Sequence, residues 1–236
     1  MRRFDEIFAV AAERKGGAAA LEKMLAQTAS REPAEIAAIP DDRVLAEMTR
    51  RIFYAGFSSK VIDAKWDAFE LAFDGFDPHT CAFMTEERFD ALMQDRGIVR
   101  NGAKIRAVQI NAQFVLDLKS KHGSAGRFFA QWPDSDYVGL LDVLRKRANH
   151  LGGGAAARFL RAIGKPAFVA SPDVIAALIR EGVLDRPASG KRDLATIQGA
   201  FNQWAGESGR DLTAISRVLA MSIDSQGHRS STSRRG

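Results

Sequence analysis

The chain is poor in sulfur. A single cysteine, Cys81, stands among 236 residues, which excludes a disulfide framework and a four-cysteine metal site. The four histidines, His79, His122, His150 and His228, show no paired ligand spacing, so no metal site is expected. Proline is scarce, with 7 residues, and no β-branched run alternates with polar residues as a strand requires. No apolar run reaches spanning length, and the N-terminal MRRFDEIFAVAAERKGG is amphipathic, unlike a signal peptide with an apolar core. A cytoplasmic, soluble protein is the expectation. A P-loop, a nucleophile elbow, a dinucleotide fingerprint and internal repeats are also missing.

What remains favours helix. Hydrophobic residues make up 46% of the chain, enough for a substantial core, and Ala-rich runs with Leu and Arg dominate. The pattern predicts an all-α fold. A net charge of +5 and an isoelectric point near 9.5 permit nucleic-acid binding without demanding it. Part of the excess lies after Asp224, in Arg229, Arg234 and Arg235. Residues 225–236, rich in Ser, Arg and Gly, are expected to be a disordered basic tail.

Residues 1–40 read as an N-terminal helical extension. Phe4, Ile7, Phe8 and Ala11 share a face, Leu21, Met24 and Leu25 follow the Gly16-Gly17 break, and 28–40 is a connector. Asp41 or Asp42 is expected to cap a helix through Val44, Leu45 and Met48 to Ile52. Ser58 or Ser59 caps the next, whose stripe of Ile62, Trp66, Phe69 and Phe73 makes Trp66 a core residue. Asp77-Pro78 and Thr85 open two short helices, the second ending at Gly97. Residues 103–118 form a long amphipathic helix. A helix from Tyr137 to Arg147 follows, and Ser171-Pro172-Asp173 opens another to Arg180. Residues 183–192 are a loop before the last two helices, 194–204 and 212–223.

The stretch LDVLRKRANHLGGGAAARFLRAIGKPAF, residues 141–168, reads as helix, tight hairpin, helix. Gly152, Gly153 and Gly154 let the backbone take positive φ and approach a partner closely. The free N–H groups opening the second helix favour an anion such as phosphate. Arg145, Lys146, Arg147, Arg158 and Arg161 add positive charge. The plainer alternative is a Gly-terminated helix followed by another, with cations on solvated faces.

Two further features could carry chemistry. In the turn Phe53-Tyr54-Ala55-Gly56-Phe57-Ser58-Ser59, aromatics beside small residues could hold a planar base, since stacking rewards flat faces. The alternative buries Phe53 and Phe57 and leaves only Tyr54 partly exposed. Asp173 could act as a general base or stabilise a cationic sugar, or simply favour its helix dipole. Cys81 reads as a small core residue.

From Ala55 to Leu118 the chain resembles the DNA-3-methyladenine glycosylase I family. The carrying segments are AGFSSKVIDAKWDAFELAFDGFDP and RFDALMQDRGIVRNGAKIRAVQINAQFVL. Family-like elements are Ala55 to Ser58, Phe76 to Pro78, Gly97 to Arg100, Lys104-Ile105 and Asn111-Ala112. LRKRANHLGGGAAARFL resembles the family's helix-hairpin-helix, and IGKPAFVASPDV the wider superfamily that includes the endonuclease III type. The resemblance covers roughly residues 41–180.

It implies a glycosylase-like domain over 41–224, with two helical lobes and a cleft between them. The partner would be double-stranded DNA with a damaged base, bound by a monomer. Arg147, His150, Gly152, Gly153, Gly154 and Arg158 would grip the backbone, with a monovalent cation at the hairpin and no other cofactor. An alkylated base would be flipped into a pocket of Arg51, Phe53, Tyr54, Phe57, Ser58 and Ser59, and its N-glycosidic bond cut. Glu47 and Asp173 are the catalytic candidates. The chain departs from the family at Arg51, where a glutamate is usual, at Ser59, usually aromatic, and at Phe53 and Tyr54, usually glutamines. The family's zinc site is missing. Glu47, one turn before Arg51, either pairs with it or takes over the acidic role. The other readings are a non-catalytic DNA- or lesion-binding protein and a helical protein–protein module.

Overall fold

The computed structural model describes residues 1–224, so the expected disordered tail at 225–236 lies outside the described residues. Among the described residues there are fifteen α-helices and no strand, as the composition predicts. Helices α1 (Phe4–Arg14) and α2 (Ala18–Ala26) part at Gly16 and Gly17, both at positive φ. The expected connector contains α3 (Pro33–Ala37), which Pro33 opens and Ile36 anchors by burial. Helix α4 (Asp41–Tyr54) starts with Pro40 at the capping position. Asp41 lies inside its first turn and accepts the Ala125 N–H at 2.8 Å instead of capping. The helix outruns the expected end at Ile52, so Phe53 and Tyr54 are helical.

The expected stripe from Ile62 to Phe73 breaks at Lys65 into α5 (Ser59–Ala64) and α6 (Trp66–Ala72). Lys65 Nζ donates to the Arg96 and Gly97 carbonyls at 2.9 and 3.0 Å, which holds the break. Helix α7 (Pro78–Ala82) has Asp77 accepting the Thr80 N–H at 2.7 Å, and α8 (Glu86–Gln94) has Thr85 accepting the Arg88 N–H at 3.2 Å. Helix α9 (Gly102–His122), capped by Asn101, exceeds its expected span at both ends. Then come α10 (Ala125–Gln131), α11 (Tyr137–Arg147), α12 (Gly154–Ala162), α13 (Pro172–Arg180), α14 (Lys191–Ser208) and α15 (Leu212–Met221). Helix α14 extends beyond the expected 194–204 at both ends.

The chain divides into two compact units. The first holds Met1–Ser30, Asp134–Val138 and the chain from Pro166. Its core buries Ile7, Leu21, Leu178, Phe201, Trp204 and Ile215. Tyr137 donates its hydroxyl to the Phe168 carbonyl at 2.9 Å, and the Phe168 ring lies 4.4 Å from that of Phe201. Glu181, its side chain fully buried, accepts two bonds from Arg2, at 2.8 and 2.7 Å, and one from Arg180 at 2.7 Å. Burial pushes its carboxyl upward, but the two guanidiniums win and hold it below the ordinary range.

The second unit holds Arg31–Pro133 and Gly139–Lys165. Helix α4 packs on α9 around buried Val44, Met48, Ile105, Val108 and Ala112. The rings of Phe53, Phe69, Phe73 and Phe76 continue that core, with Phe53 edge-on to Phe69 at 4.8 Å. Cys81 is buried here, as expected of a small core residue, and burial pushes its thiol up to about 12. Helix α10 lies so close to α3 that a Cβ added at Gly126 would stand 2.6 Å from the Ile36 carbonyl oxygen and 2.9 Å from that of Ile39.

Gly126→Ala should therefore cost about 1–3 kcal/mol in denaturant unfolding, because backbone must shift. Gly199→Ala, at an exposed position of α14 where a Cβ meets nothing within 4 Å, should stabilise by roughly 0.5–1 kcal/mol. Equal effects from the two substitutions would refute the close approach.

Candidate nucleic-acid interface and base site

The loop joining α11 to α12 is held from beneath. Leu151 is fully buried. Asn111, buried on α9, accepts the Asn149 N–H at 2.7 Å and donates to the Asn149 carbonyl at 3.1 Å. Above these anchors, His150 takes φ 57° and Gly153 φ 53°. His150, Gly152, Gly153 and Gly154 are exposed. The N–H groups of Gly152, Gly153 and Gly154 meet no acceptor among the described residues. A Cβ at Gly152 or Gly153 would touch nothing within 4 Å. The loop thus presents bare backbone donors at the positive end of α12.

The positive charge around it is less free than the residue types suggest. Arg145 and Lys146 pair with Asp142, and Arg147 pairs with Asp117 while lying 4.9 Å from the Phe114 ring. Arg158 has no carboxylate partner among the described residues, and its guanidinium lies beside Gly154.

The aromatic turn is only partly as expected. Phe53 belongs to the last turn of α4 and is fully buried. Its ring is enclosed by Phe69 and cannot offer a face to a base, which corrects its placement in the base pocket. Phe57 is 39% exposed, so the alternative that buried it also fails. Gly56, at φ 83°, makes the turn that brings Phe57 out. Beneath it, Lys104 donates to the Ala55 carbonyl, and its ammonium lies 4.6 Å from the Phe57 ring and 5.6 Å from that of Phe53. Burial lowers the Lys104 pKa from its ordinary value. Tyr54 is half-buried and donates its hydroxyl to Asp63. Burial, then that bond, raise its phenol pKa. Ser58 and Ser59 are exposed. Ser58 occupies the capping position of α5 through its backbone, without a side-chain capping bond.

Arg51 and Glu47 form the expected pair one turn apart on α4. The Arg51 guanidinium also lies 5.0 Å from the Tyr54 ring. Glu47 is therefore a charge partner of Arg51, and the local cation is largely compensated. Trp66 is half-buried rather than core. Its indole N–H donates to Glu70 at 2.8 Å, and Arg50 stacks on its ring at 4.1 Å. Asp173 sits in the first turn of α13 in the first unit, behind the capping hydroxyl of Ser171, where a carboxylate favours the helix dipole.

Two supports escaped the sequence reading as supports. A polar Asn111 between Ile110 and Ala112 is a signal for a buried anchor. Lys104, in the first turn of a long amphipathic helix, carries no comparable signal. Among the described residues no cluster of His, Cys, Asp and Glu could hold a metal ion, and no helix is long and apolar enough to cross a membrane.

Residues 37–140 match the family model described as methyladenine glycosylase. The match covers the aromatic turn with Lys104 and Asn111, and it stops before the loop at 148–153. A DNA-3-methyladenine glycosylase of Haemophilus influenzae is 37% identical over 65 residues, 28% of this chain and 35% of the relative. The chain thus matches about a third of that curated relative's length. The solved 3-methyladenine DNA glycosylase I of Staphylococcus aureus is 25% identical, with 53% of this chain and 77% of that one covered at a TM-score of 0.47. Another solved 3-methyladenine DNA glycosylase I is 25% identical over 53% of this chain and 79% of its own, at 0.46.

Asn111→Ala would leave the Asn149 N–H without its partner and should cost about 1–3 kcal/mol. Amide exchange at Asn149, whose N–H Asn111 holds, should rise well above that of the rest of the second unit. Unchanged exchange there would mean that the loop does not depend on Asn111.

Proposed function

We propose, on the premise that residues 37–140 are a methyladenine glycosylase segment, that this protein excises an alkylated base of the 3-methyladenine type from duplex DNA. The observation that carries the reading is that family match across the turn from Tyr54 to Ser59, with Phe57 exposed above Lys104. Hydrolysis of an N-glycosidic bond requires the base to leave the stack, because the bond is inaccessible inside it. Tyr54 and Phe57 are the rings that stack on the extruded base, with Ser58 and Ser59 beside them. A methylated purine carries positive charge and leaves readily, so positioning supplies much of the catalysis. Arg51 would repel that charge alone, but its pairing with Glu47 offsets the repulsion.

The loop at 148–153 acts as the hairpin of a helix-hairpin-helix. The amides of Gly152 to Gly154 take a backbone phosphate, with Arg158, His150 and Arg147 beside it. The same loop is where a monovalent cation sits, and no further cofactor is called for. Asp173 is the carboxylate assigned to water activation, while Glu47 serves as the charge partner of Arg51. The protein acts as a monomer in the cytoplasm on double-stranded DNA.

The experiment is a base-release assay on methylated duplex DNA. Free 3-methyladenine should appear with the wild type. Tyr54→Ala and Phe57→Ala should each lower kcat/KM roughly 5- to 100-fold, the loss of one stacking face. Asp173→Asn should lower kcat by about 100-fold or more. Gly153→Glu should abolish salt-sensitive DNA binding by placing an acid at the phosphate. Tight DNA binding with no base release would sink the enzyme reading in favour of a lesion-binding protein.

A further inference from the structure

Apart from the loop and the aromatic turn, the second unit contains a pocket of about 220 Å³. Arg43, Glu47 and Arg50 of α4 line it, with Trp66 and Glu70 of α6 and Arg31 before α3. Ala162 and Ile163 close it at the far end of α12 from the Gly-rich loop. Gly154 and Ala162 stand at opposite ends of α12, eight residues and roughly 12 Å apart at 1.5 Å per residue. The pocket is therefore not part of the loop's phosphate grip.

Its charges are unequally satisfied. Glu70 accepts two bonds from Arg43, at 2.8 and 2.9 Å, and one from the Trp66 indole at 2.8 Å. Its carboxyl is held below the ordinary range by Arg43 first. Glu47 is taken by Arg51. Both acids are thus neutralised by named partners. The cations are not equally matched. Arg50 makes no ion pair among the described residues, and its Nε is buried without a hydrogen-bond partner. An orphaned donor of that kind is costly unless something accepts from it. Arg31 also lacks a carboxylate partner among the described residues, and the stem of its side chain packs on Gly164.

The geometry selects the ligand class. The Arg50 guanidinium carbon lies over the Trp66 ring, 4.1 Å from its centroid. Trp66 also stacks against Phe69 at 5.5 Å and Phe76 at 5.3 Å. The indole therefore has little face left for a planar base. A stacked guanidinium instead directs its in-plane N–H groups at oxygens, the arrangement suited to phosphate. With both carboxylates already bonded, the excess charge of the pocket is that of Arg50 and Arg31, which favours an anion over a metal cation.

We propose that this pocket binds a phosphate group, supplied either by a DNA backbone or by a free phosphate or nucleotide, with Arg50 and Arg31 as its ligands. The phosphate-ion test does not depend on the glycosylase reading.

Two-dimensional NMR of the full chain resolves the Arg50 Nε–H and the Trp66 indole N–H. Inorganic phosphate at constant ionic strength, with chloride as the control, should shift both saturably. Arg50→Gln should weaken phosphate affinity roughly tenfold or more, the loss of a charge-assisted bond. Arg31→Gln, at an exposed position, should weaken it too and serves if Arg50→Gln does not fold. A duplex oligonucleotide then separates the sources. If duplex moves the Arg50 resonance as phosphate does, and Arg50→Gln reduces the salt slope of DNA binding by about one, the phosphate belongs to the backbone. If only free phosphate moves it, the site serves a small anion. If duplex alone moves it and Arg50→Gln lowers the salt slope, the phosphate again belongs to the backbone; if neither moves it, if duplex alone moves it without that change in slope, or if both variants titrate as wild type, the proposal is overturned. Duplex that leaves the Gly153 amide unmoved counts against the DNA reading and leaves the phosphate result to decide the pocket.

Discussion

One buried helix sets the geometry of the two exposed turns of the second unit, the aromatic turn and the Gly-rich loop. Lys104 and Asn111 lie seven residues apart on α9, two turns and roughly 10 Å along one face. Lys104 holds the Ala55 carbonyl, and Asn111 holds both backbone groups of Asn149. The aromatic turn and the Gly-rich loop are otherwise remote in sequence. Both hang from the same helix, so their separation cannot drift unless α9 bends. Helix α9 is itself fixed by burial, with Ile105, Val108, Ala112 and Val115 fully enclosed. A polar anchor in such a face is stable only while its bonds are made, which ties the loop's shape to the core.

The second constraint is charge pairing along α4. Arg43, Glu47, Arg50, Arg51 and Tyr54 crowd the face turned away from the core. Arg43 is spent on Glu70 and Arg51 on Glu47, while Arg50 is stacked but unbonded at Nε. Ion pairs that stay partly exposed contribute little to stability, about 0–1 kcal/mol each. Their larger effect is to decide which cations stay available. Around the loop the same rule removes Arg145, Lys146 and Arg147 from the free count and leaves Arg158. A count of basic residues therefore overstates the charge that a partner meets.

The helical class, several helix starts and the caps at Asp77, Thr85 and Ser171 were legible in residue order, because each depends on neighbours within one or two turns. So was the Glu47–Arg51 pair, at its four-residue spacing. The glycine positions of the loop and of Gly56 were legible for the same reason. Where the reading failed, a distant group decided. The stripe through Trp66 breaks at Lys65, whose ammonium is held by the Arg96 and Gly97 carbonyls, thirty-odd residues away. Asp41 does not cap its helix because Ala125 claims its carboxylate. Phe53 lost its place beside a base because Phe69, sixteen residues on, packs edge-on against its buried ring.

Sequence alone thus determined that the chain is helical, where its chain-reversing glycines lie, and that a segment of it resembles methyladenine glycosylases. Local periodicity, capping and φ preferences are short-range properties, and residue order encodes them directly. Tertiary structure alone decided which aromatic faces are open, which guanidiniums lack partners, and that one buried lysine and one buried asparagine on α9 support the two exposed turns. Those outcomes depend on which distant carbonyls and carboxylates arrive first at each polar group, and that competition is settled only when the helices pack.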